Sequence, residues 1–417
     1  MSRPVIGFAG MTHLGVNSAA AALQRGFRMV AFDADAAVIE SLRQGKTPVS
    51  EPGLEEILRE KKSLAMYTTV ASDLGRCNLV YISTDVATDE QGRSDLSRVR
   101  RLIDGVRPSL GAEAVLVVLC QVPPGFTRSL GLPRERLFYQ VETLVFGAAV
   151  ERAVHPERFI VGCADPERAL PAAYGEYLRA FGCPILPMGY ESAELAKIAI
   201  NCCLVASVSV ANTLAELCER LDADWSELVP ALRLDRRIGP HAYLAPGLGI
   251  AGGNLERDLA TVIRLAQEHG TDAGVVQAWL ANSRHRRDWA ARTIRALLLD
   301  ANPQAVIAVW GLAYKENTSS VKNSPALATI AQLQGTTLRL HDPVVPTATA
   351  KAPLEAARGA AALMILTPWP EYREIEPAKI AAAMRGRIVL DPYRVLEEKA
   401  AAAAGLVLHS LGKKTHA

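Results

Sequence analysis

The sequence predicts an α/β protein in which two parallel-sheet domains flank a helical region, and three observations carry that prediction. Short β-rich apolar runs alternate with amphipathic helical patterns at the start of the chain. The pattern turns helical from about Glu191 to Arg292, and the alternation then resumes. Strands that alternate with helices imply crossovers covering both faces of a parallel sheet. The 417 residues correspond to about two or three domains, and 49% of them are hydrophobic, enough to fill each core.

The strands expected first are VIGFAG, RMVAFDAD, CNLVYIST, AVLVVLC and RFIVGC. In the middle, AELAKIAINCCLVASVSVANTLAELCERL repeats apolar residues at three- and four-residue spacing, so its long apolar face is a candidate dimer surface. AVIAVWGLAYK is then a strand ending at a glycine turn. SPALATIAQL is a helix with Ser324 as N-cap and Pro325 in the first turn, where its missing N–H costs nothing. TTLRLHDP, AALMILTP and GRIVLDP are further strands. EKAAAAAG reads as a helix with Gly405 near its end, and GKKTHA as a disordered tail. The domains implied are 1–185, 186–295 and 296–417.

A net charge of +2 argues against nucleic acid or an anionic membrane as the main partner. The basic run RHRRDWAARTIR reads as a solvated helix face. Seven cysteines without metal-ligand spacing read as buried or free thiols of a reducing compartment, with Cys202 and Cys203 as packing and no metal site expected. A strand-like PVIGFAG lies near the start of the sequence, so no signal sequence is expected. LAKIAINCCLVASVSVAN carries Lys197 and Asn201 and reads as a buried helix rather than a membrane span. The cytoplasm is the expected location.

GFAGMTHLGVNSAAAALQRGFRMVAFDAD follows the first strand with a turn, a helix and a second strand ending in an acid, the context of a dinucleotide fingerprint. Gly10 and Gly15 fit the tight turn and the close helix packing, whereas Thr12 replaces the glycine that admits the pyrophosphate. His13 and Leu14 complete the turn. Asp33 favours NAD over NADP, because a carboxylate hydrogen-bonds a free 2′-hydroxyl and repels a 2′-phosphate. The alternative is a nucleotide-fold domain that binds its cofactor weakly or not at all.

Six further stretches follow in order: GKTPVSEPGLEEIL, TDEQGRSDLSRV, VPPGFTRSL, LDRRIGPHAYLAPGLGIAGG, GLAYKENTSSVKNSPAL and LMILTPWPEYRE. With this spacing the chain resembles, over nearly its whole length, the UDP-glucose/GDP-mannose dehydrogenase family of nucleotide-sugar 6-dehydrogenases. The resemblance implies two Rossmann-like parallel-sheet domains joined by a helical central dimerisation region. The first would bind NAD and the last a nucleotide sugar, a UDP-sugar by default, in a homodimer. Members oxidise a sugar C6 hydroxyl to a carboxylate in two hydride transfers, the second through a thiohemiacetal on a cysteine.

Several residues match the family's site. Lys197 and Asn201, four apart on one helical face, can converge on one oxygen; the structural alternative for Lys197 is a snorkelling surface residue. Asp258 matches the acid that positions water and accepts a proton, and Glu142 matches the acid of the family's Asn-Pro-Glu segment. Arg237 matches a base that reaches a phosphate or sugar across the dimer. Tyr243, Leu244, Gly247, Gly249, Gly252 and Arg257 match the segment that wraps the nucleotide sugar, and Lys315 a residue near the substrate. The glycines could equally serve only a turn. Thr84 and Lys322 fall in cofactor-contacting segments.

The departures cluster. The family's loop reads Gly-Gly-Ser-Cys, an aromatic or Leu, then Pro, Lys and Asp; here it is one residue shorter, and Asn254 stands for the Ser-Cys pair. A delocalised amide nitrogen cannot form the adduct that a thiolate forms, so thioester chemistry at this position is excluded. Cys120-Gln121 replaces Ser-Thr, Phe146 replaces a second acid, Thr84 to Ala87 replace Val-Gly-Thr-Pro, and Ser319-Ser320 replace an acidic pair. The first expectation is a two-electron, NAD-dependent oxidoreductase that yields an aldehyde, a ketone or an epimer. The alternatives are a four-electron 6-dehydrogenase that holds an aldehyde hydrate at Glu142, and a non-catalytic nucleotide-sugar-binding protein.

Overall fold

β1 (Ile6–Ala9), β2 (Met29–Phe32) and β4 (Leu79–Ile82) are buried on both faces, as continuous apolar runs in a covered parallel sheet must be. A computed structural model describes residues 3–89 and 92–415. The chain divides into two units, residues 1–200 and 201–417.

In the first unit these strands join β3 (Ala65–Thr68), β7 (Val115–Val118), β8 (Leu137–Gln140), β9 (Phe159–Cys163) and β10 (Ile185–Gly189) in the order β10-β9-β8-β7-β4-β1-β2-β3. A two-residue hairpin, β5 (Ala87–Thr88) and β6 (Ser94–Asp95), stands apart; Glu90 and Gln91 of TDEQGRSDLSRV lie outside the described residues. Separate apolar clusters cover the two faces of the sheet.

The parallel sheet expected from the sequence is present, with one antiparallel pair within it. β9 runs antiparallel to β8, because the connection between them offers only the six-residue helix Ala149–Val154 and does not carry the chain back across the sheet. The chain moves to opposite sides after β3, so the crevice beyond β1 and β4 is the topological switch point, where such sheets bind ligands.

The second unit repeats this device. β11 (Val306–Trp310), β12 (Thr337–His341), β13 (Ala362–Ile365), β14 (Ile388–Leu390) and β15 (Val407–His409) form a parallel sheet ordered β12-β11-β13-β14-β15. Gly311 after β11 has φ 90°, as Gly10 after β1 has φ 95°. Asp342 after β12 accepts the Leu312 N–H at 2.7 Å, as Asp33 after β2 accepts that of Met11 at 2.8 Å. Ser324 caps the helix Pro325–Gln332, accepting from Leu327 N–H at 3.4 Å, as expected.

In sequence, the 32-residue helix Tyr190–Leu221 follows β10. It is long and apolar enough to cross a membrane, but only 33% of its most apolar window is buried within the chain. The buried helix expected from the sequence is thus a partly exposed one. Val210, Leu214, Leu217 and Leu221 are exposed at spacings of four, three and four, so they form one apolar stripe.

Two more expectations change. The basic run is only in part a solvated face: Arg284, His285, Arg292 and Arg295 are exposed, whereas Arg286, 0% exposed, pairs with Glu219 at 2.8 Å and Glu216 at 3.4 Å, since a buried guanidinium needs carboxylate partners. The tail is pinned through Thr415: Gly412 N–H donates to Glu219 at 3.0 Å and Lys413 to Glu398 at 2.7 Å. His416 and Ala417 lie outside the described residues.

Candidate functional site

The glycine turn after β1 is built to admit a dinucleotide. A Cβ on Gly10 would fall 2.8 Å from the Thr84 Cβ, and one on Gly15 would fall 2.0 Å from the Gly10 carbonyl oxygen, so neither position tolerates a side chain. The helix His13–Gln24 starts with no side-chain cap, which leaves its first N–H groups and its dipole for an anion. Thr84 is fully buried and its hydroxyl has no hydrogen-bond partner among the described residues, a donor that a ligand in the crevice can satisfy. These features fit NAD.

Thr12, which occupies the missing glycine's place, is turned aside: its hydroxyl accepts the Asp85 N–H at 2.8 Å and lies 3.5 Å from the Ser83 carbonyl oxygen. Asp33 is buried and accepts from Met11 and Asp35 N–H groups, one on each oxygen. Leu14 packs its side chain into the core, so only its backbone can meet a cofactor. His13 is also buried, with Nε2 2.9 Å from Glu51 and its ring stacked on Phe146 at 4.0 Å.

Glu142 follows β8, whose end is fixed where the Gln140 amide oxygen accepts from Tyr81 at 2.9 Å and from Tyr174 at 3.0 Å. Burial pushes the Glu142 carboxyl above its ordinary range, against the Thr143 N–H and the Lys197 ammonium, which favour the charged form. Lys197 and Glu142 are thus electrostatically coupled. Nearby, Glu194 is fully buried and binds the turn of VPPGFTRSL through the N–H groups of Gly125 at 2.6 Å and Thr127 at 2.8 Å.

In the second unit Asn201 donates to Asp258 at 2.5 Å, and Arg257 Nε lies 3.5 Å from the other Asp258 oxygen. All three side chains are buried. The glycine loop leads into the helix Asn254–His269, capped by Gly253 without a side-chain bond, with Asn254 exposed in its first turn. Gly249 has φ 78° and faces the Ser283 carbonyl oxygen 2.4 Å from where a Cβ would stand. Gly252, also at φ 78°, faces the Tyr314 ring, and Gly253 faces the Lys322 side chain. Lys315 sits over the Tyr314 ring at 5.9 Å.

Cys202, next to Asn201, is the cysteine placed near Asp258, and its thiol is pushed up to about 11 by burial and then by the Asp258 carboxylate. It is therefore a neutral thiol at pH 7. Among the described residues no cluster of His, Cys, Asp or Glu could hold a metal ion.

Other matched residues stand differently. Arg237 is exposed, its guanidinium bound to Asp235 at 2.6 Å. Tyr243 is exposed, whereas Leu244 is buried with its carbonyl oxygen accepting from the Trp225 indole at 2.7 Å. Gly247 N–H donates to Asn212 at 2.8 Å. Glu51, which binds His13 and the N–H groups of Gly147 and Ala149, was missed from the sequence, as were Glu194, Arg287 and Asn323. Glu51 lies 96 residues from Gly147 in sequence, and no local pattern signals such a contact.

Three models of one family match the chain in succession. The NAD binding domain of the UDP-glucose/GDP-mannose dehydrogenase family matches residues 5–179, its central domain 191–284 and its UDP binding domain 308–398. A UDP-glucose 6-dehydrogenase of Pseudomonas aeruginosa is 29% identical over 97% of this chain and 96% of its own, and one of Bacillus subtilis is 27% identical over 98% and 93%. Among solved structures, a UDP-glucose dehydrogenase from Pyrobaculum islandicum superposes with a TM-score of 0.84 at 26% identity, covering 96% of this chain and 98% of its own. A UDP-D-ManNAc dehydrogenase from Pyrococcus horikoshii shares the fold, with a TM-score of 0.86 at 24% identity over 98% and 99%.

Proposed function

The chain belongs to the UDP-glucose/GDP-mannose dehydrogenase family and is an NAD-dependent nucleotide-sugar dehydrogenase; within that family we propose that it stops after one two-electron oxidation. The observation that supports this reading is Asn254, an amide at the head of its helix, with Cys202, the cysteine near Asp258, held as a neutral thiol. In the proposed reaction a sugar hydroxyl loses a proton and its carbon loses a hydride, leaving a carbonyl, NADH and H⁺. NAD supplies the hydride acceptor. Lys197 and Asn201 stabilise the developing alkoxide. Asp258 orients the Asn201 amide and accepts the proton through water. Without a thiolate no thiohemiacetal forms, and the carbonyl is released or re-reduced from its other face.

Gly10, Thr12, His13, Leu14, Gly15, Asp33, Thr84 and Lys322 are the proposed cofactor residues. Arg237, Tyr243, Leu244, Gly247, Gly249, Gly252, Arg257 and Lys315 are proposed for a UDP-sugar. The apolar stripe on the long helix supports a homodimer, and a cytoplasmic location is proposed with it. Purified protein incubated with NAD and a panel of nucleotide sugars is expected to form one NADH per sugar and a carbonyl product by mass spectrometry.

A second reading, favoured by the burial of the Glu142 carboxyl, is a four-electron dehydrogenase in which Glu142 deprotonates an aldehyde hydrate. It predicts two NADH and a uronic acid from the same incubation, a result that overturns the first reading.

A further inference from the structure

The loop that leads to Asn254 is gripped by groups that the proposed chemistry leaves unused. Arg287, at the end of the helix Gly274–Arg287, donates to the Ile250 carbonyl oxygen at 2.9 Å and to Glu256 at 2.7 Å. Asn323 donates to the Gly252 carbonyl oxygen at 2.8 Å and to the second Glu256 oxygen. Each side chain therefore holds one loop carbonyl, and both meet at one carboxylate. The Arg287 and Glu256 side chains are only 20% and 25% exposed, so solvent screens the pair less than it would a surface ion pair.

Asn323 holds its place with φ 50°, in a left-handed conformation that favours glycine and is next best tolerated by asparagine. Glu256 stands in the first turn of its helix, where a carboxylate is favoured by the dipole and where no intrahelical bond requires the residue's own N–H. The loop of the family that the chain resembles has proline directly before its Lys-Asp pair, a residue that stiffens a backbone through its fixed φ. Here Glu256 stands directly before Arg257-Asp258.

We propose that Glu256 is a positioning residue: with Arg287 and Asn323 it forms a polar clamp that fixes the backbone of residues 250–254 and aims the Asn254 amide at the reacting end of the substrate. Hydrogen bonds thereby give this loop the stiffness that a proline supplies covalently. The ordering of the loop is independent of the reaction, whereas its catalytic consequence rests on the dehydrogenase reading.

The test uses the full chain with Glu256→Ala, Glu256→Pro and Asn323→Gly, the last removing the amide while allowing the same backbone. Hydrogen exchange of the 250–254 amides is measured without substrate, and kcat and KM with a nucleotide sugar that the parent protein oxidises. Glu256→Ala and Asn323→Gly are expected to speed exchange at 250–254 by about tenfold. They are also expected to lower kcat by about tenfold or more with KM changed less than about twofold, as misaimed groups do. Glu256→Pro is expected to restore protection and most of kcat. Unchanged exchange in both Glu256→Ala and Asn323→Gly overturns the clamp, and faster exchange at unchanged kcat overturns its positioning role. If the parent protein oxidises no nucleotide sugar, the dehydrogenase reading fails and the exchange measurement alone decides the clamp.

Discussion

Asn254 opens a 16-residue helix whose N-terminus carries no side-chain cap, and this local setting predicts what a sulfur would do there. A thiol at a helix N-terminus is shifted toward thiolate by the dipole and the free N–H groups. On the proposed two-electron reading, Asn254→Cys is therefore expected to raise the yield from one NADH per sugar to two, with a carboxylate product, by absorbance and mass spectrometry. A yield that stays at one would mean that the loop no longer supports a thiohemiacetal. The absence of a thiol at this position was legible from the sequence alone. The environment of Cys202 was not, because a thiol's reactivity depends on burial and on Asp258, 56 residues away.

At the scale of elements, Asp224 ties the helix Trp225–Leu234 to the end of the chain. It caps that helix through Ser226 N–H at 2.8 Å and pairs with Arg394 at 2.8 Å and Lys413 at 3.6 Å. Burial would raise its carboxyl, but Arg394 and Ser226 outweigh that and hold it at about 2, below its ordinary 3.8. Because the folded value is the lower one, the carboxylate stabilises the fold above about pH 4, and that contribution is lost as pH falls toward 2. Asp224→Asn is expected to lower stability at pH 7 by about 2 kcal/mol in urea unfolding, the scale of a hydrogen bond to a charged group, with the difference shrinking in acid.

Strand prediction divides along similar lines. Continuous apolar runs such as Leu79–Ile82 and Ala362–Ile365 announced themselves, since a strand covered on both faces has no polar alternative. The edge strands divide: β12 was legible from the Leu-Arg-Leu alternation of Leu338 to Leu340, whereas β3, β10 and β15, also only partly buried, carry no such pattern. β8 is buried, but its run Leu-Phe-Tyr-Gln ends in polar groups that pair only across the sheet.

For the whole molecule, the exposed stripe Val210, Leu214, Leu217 and Leu221 predicts self-association, since a contiguous apolar face of this kind is seldom left to water. Leu217→Glu combined with Leu221→Glu is expected to convert a dimer to a monomer in light scattering while far-ultraviolet circular dichroism stays unchanged. A parent protein that is already monomeric would refute the expectation. By itself the sequence determined the two α/β regions and their helical connector, the glycine turn before Asp33, and the absence of a thiol at Asn254. These are properties of local hydropathy, backbone freedom and side-chain chemistry. Only the tertiary structure decided where the charges go: buried Arg286 onto two half-buried carboxylates, Glu51 onto His13, and Arg287 and Asn323 onto Glu256. A side chain's periodicity is written within one turn or strand, but its partner is whatever long-range packing brings within about 3 Å, and that is a property of the folded chain.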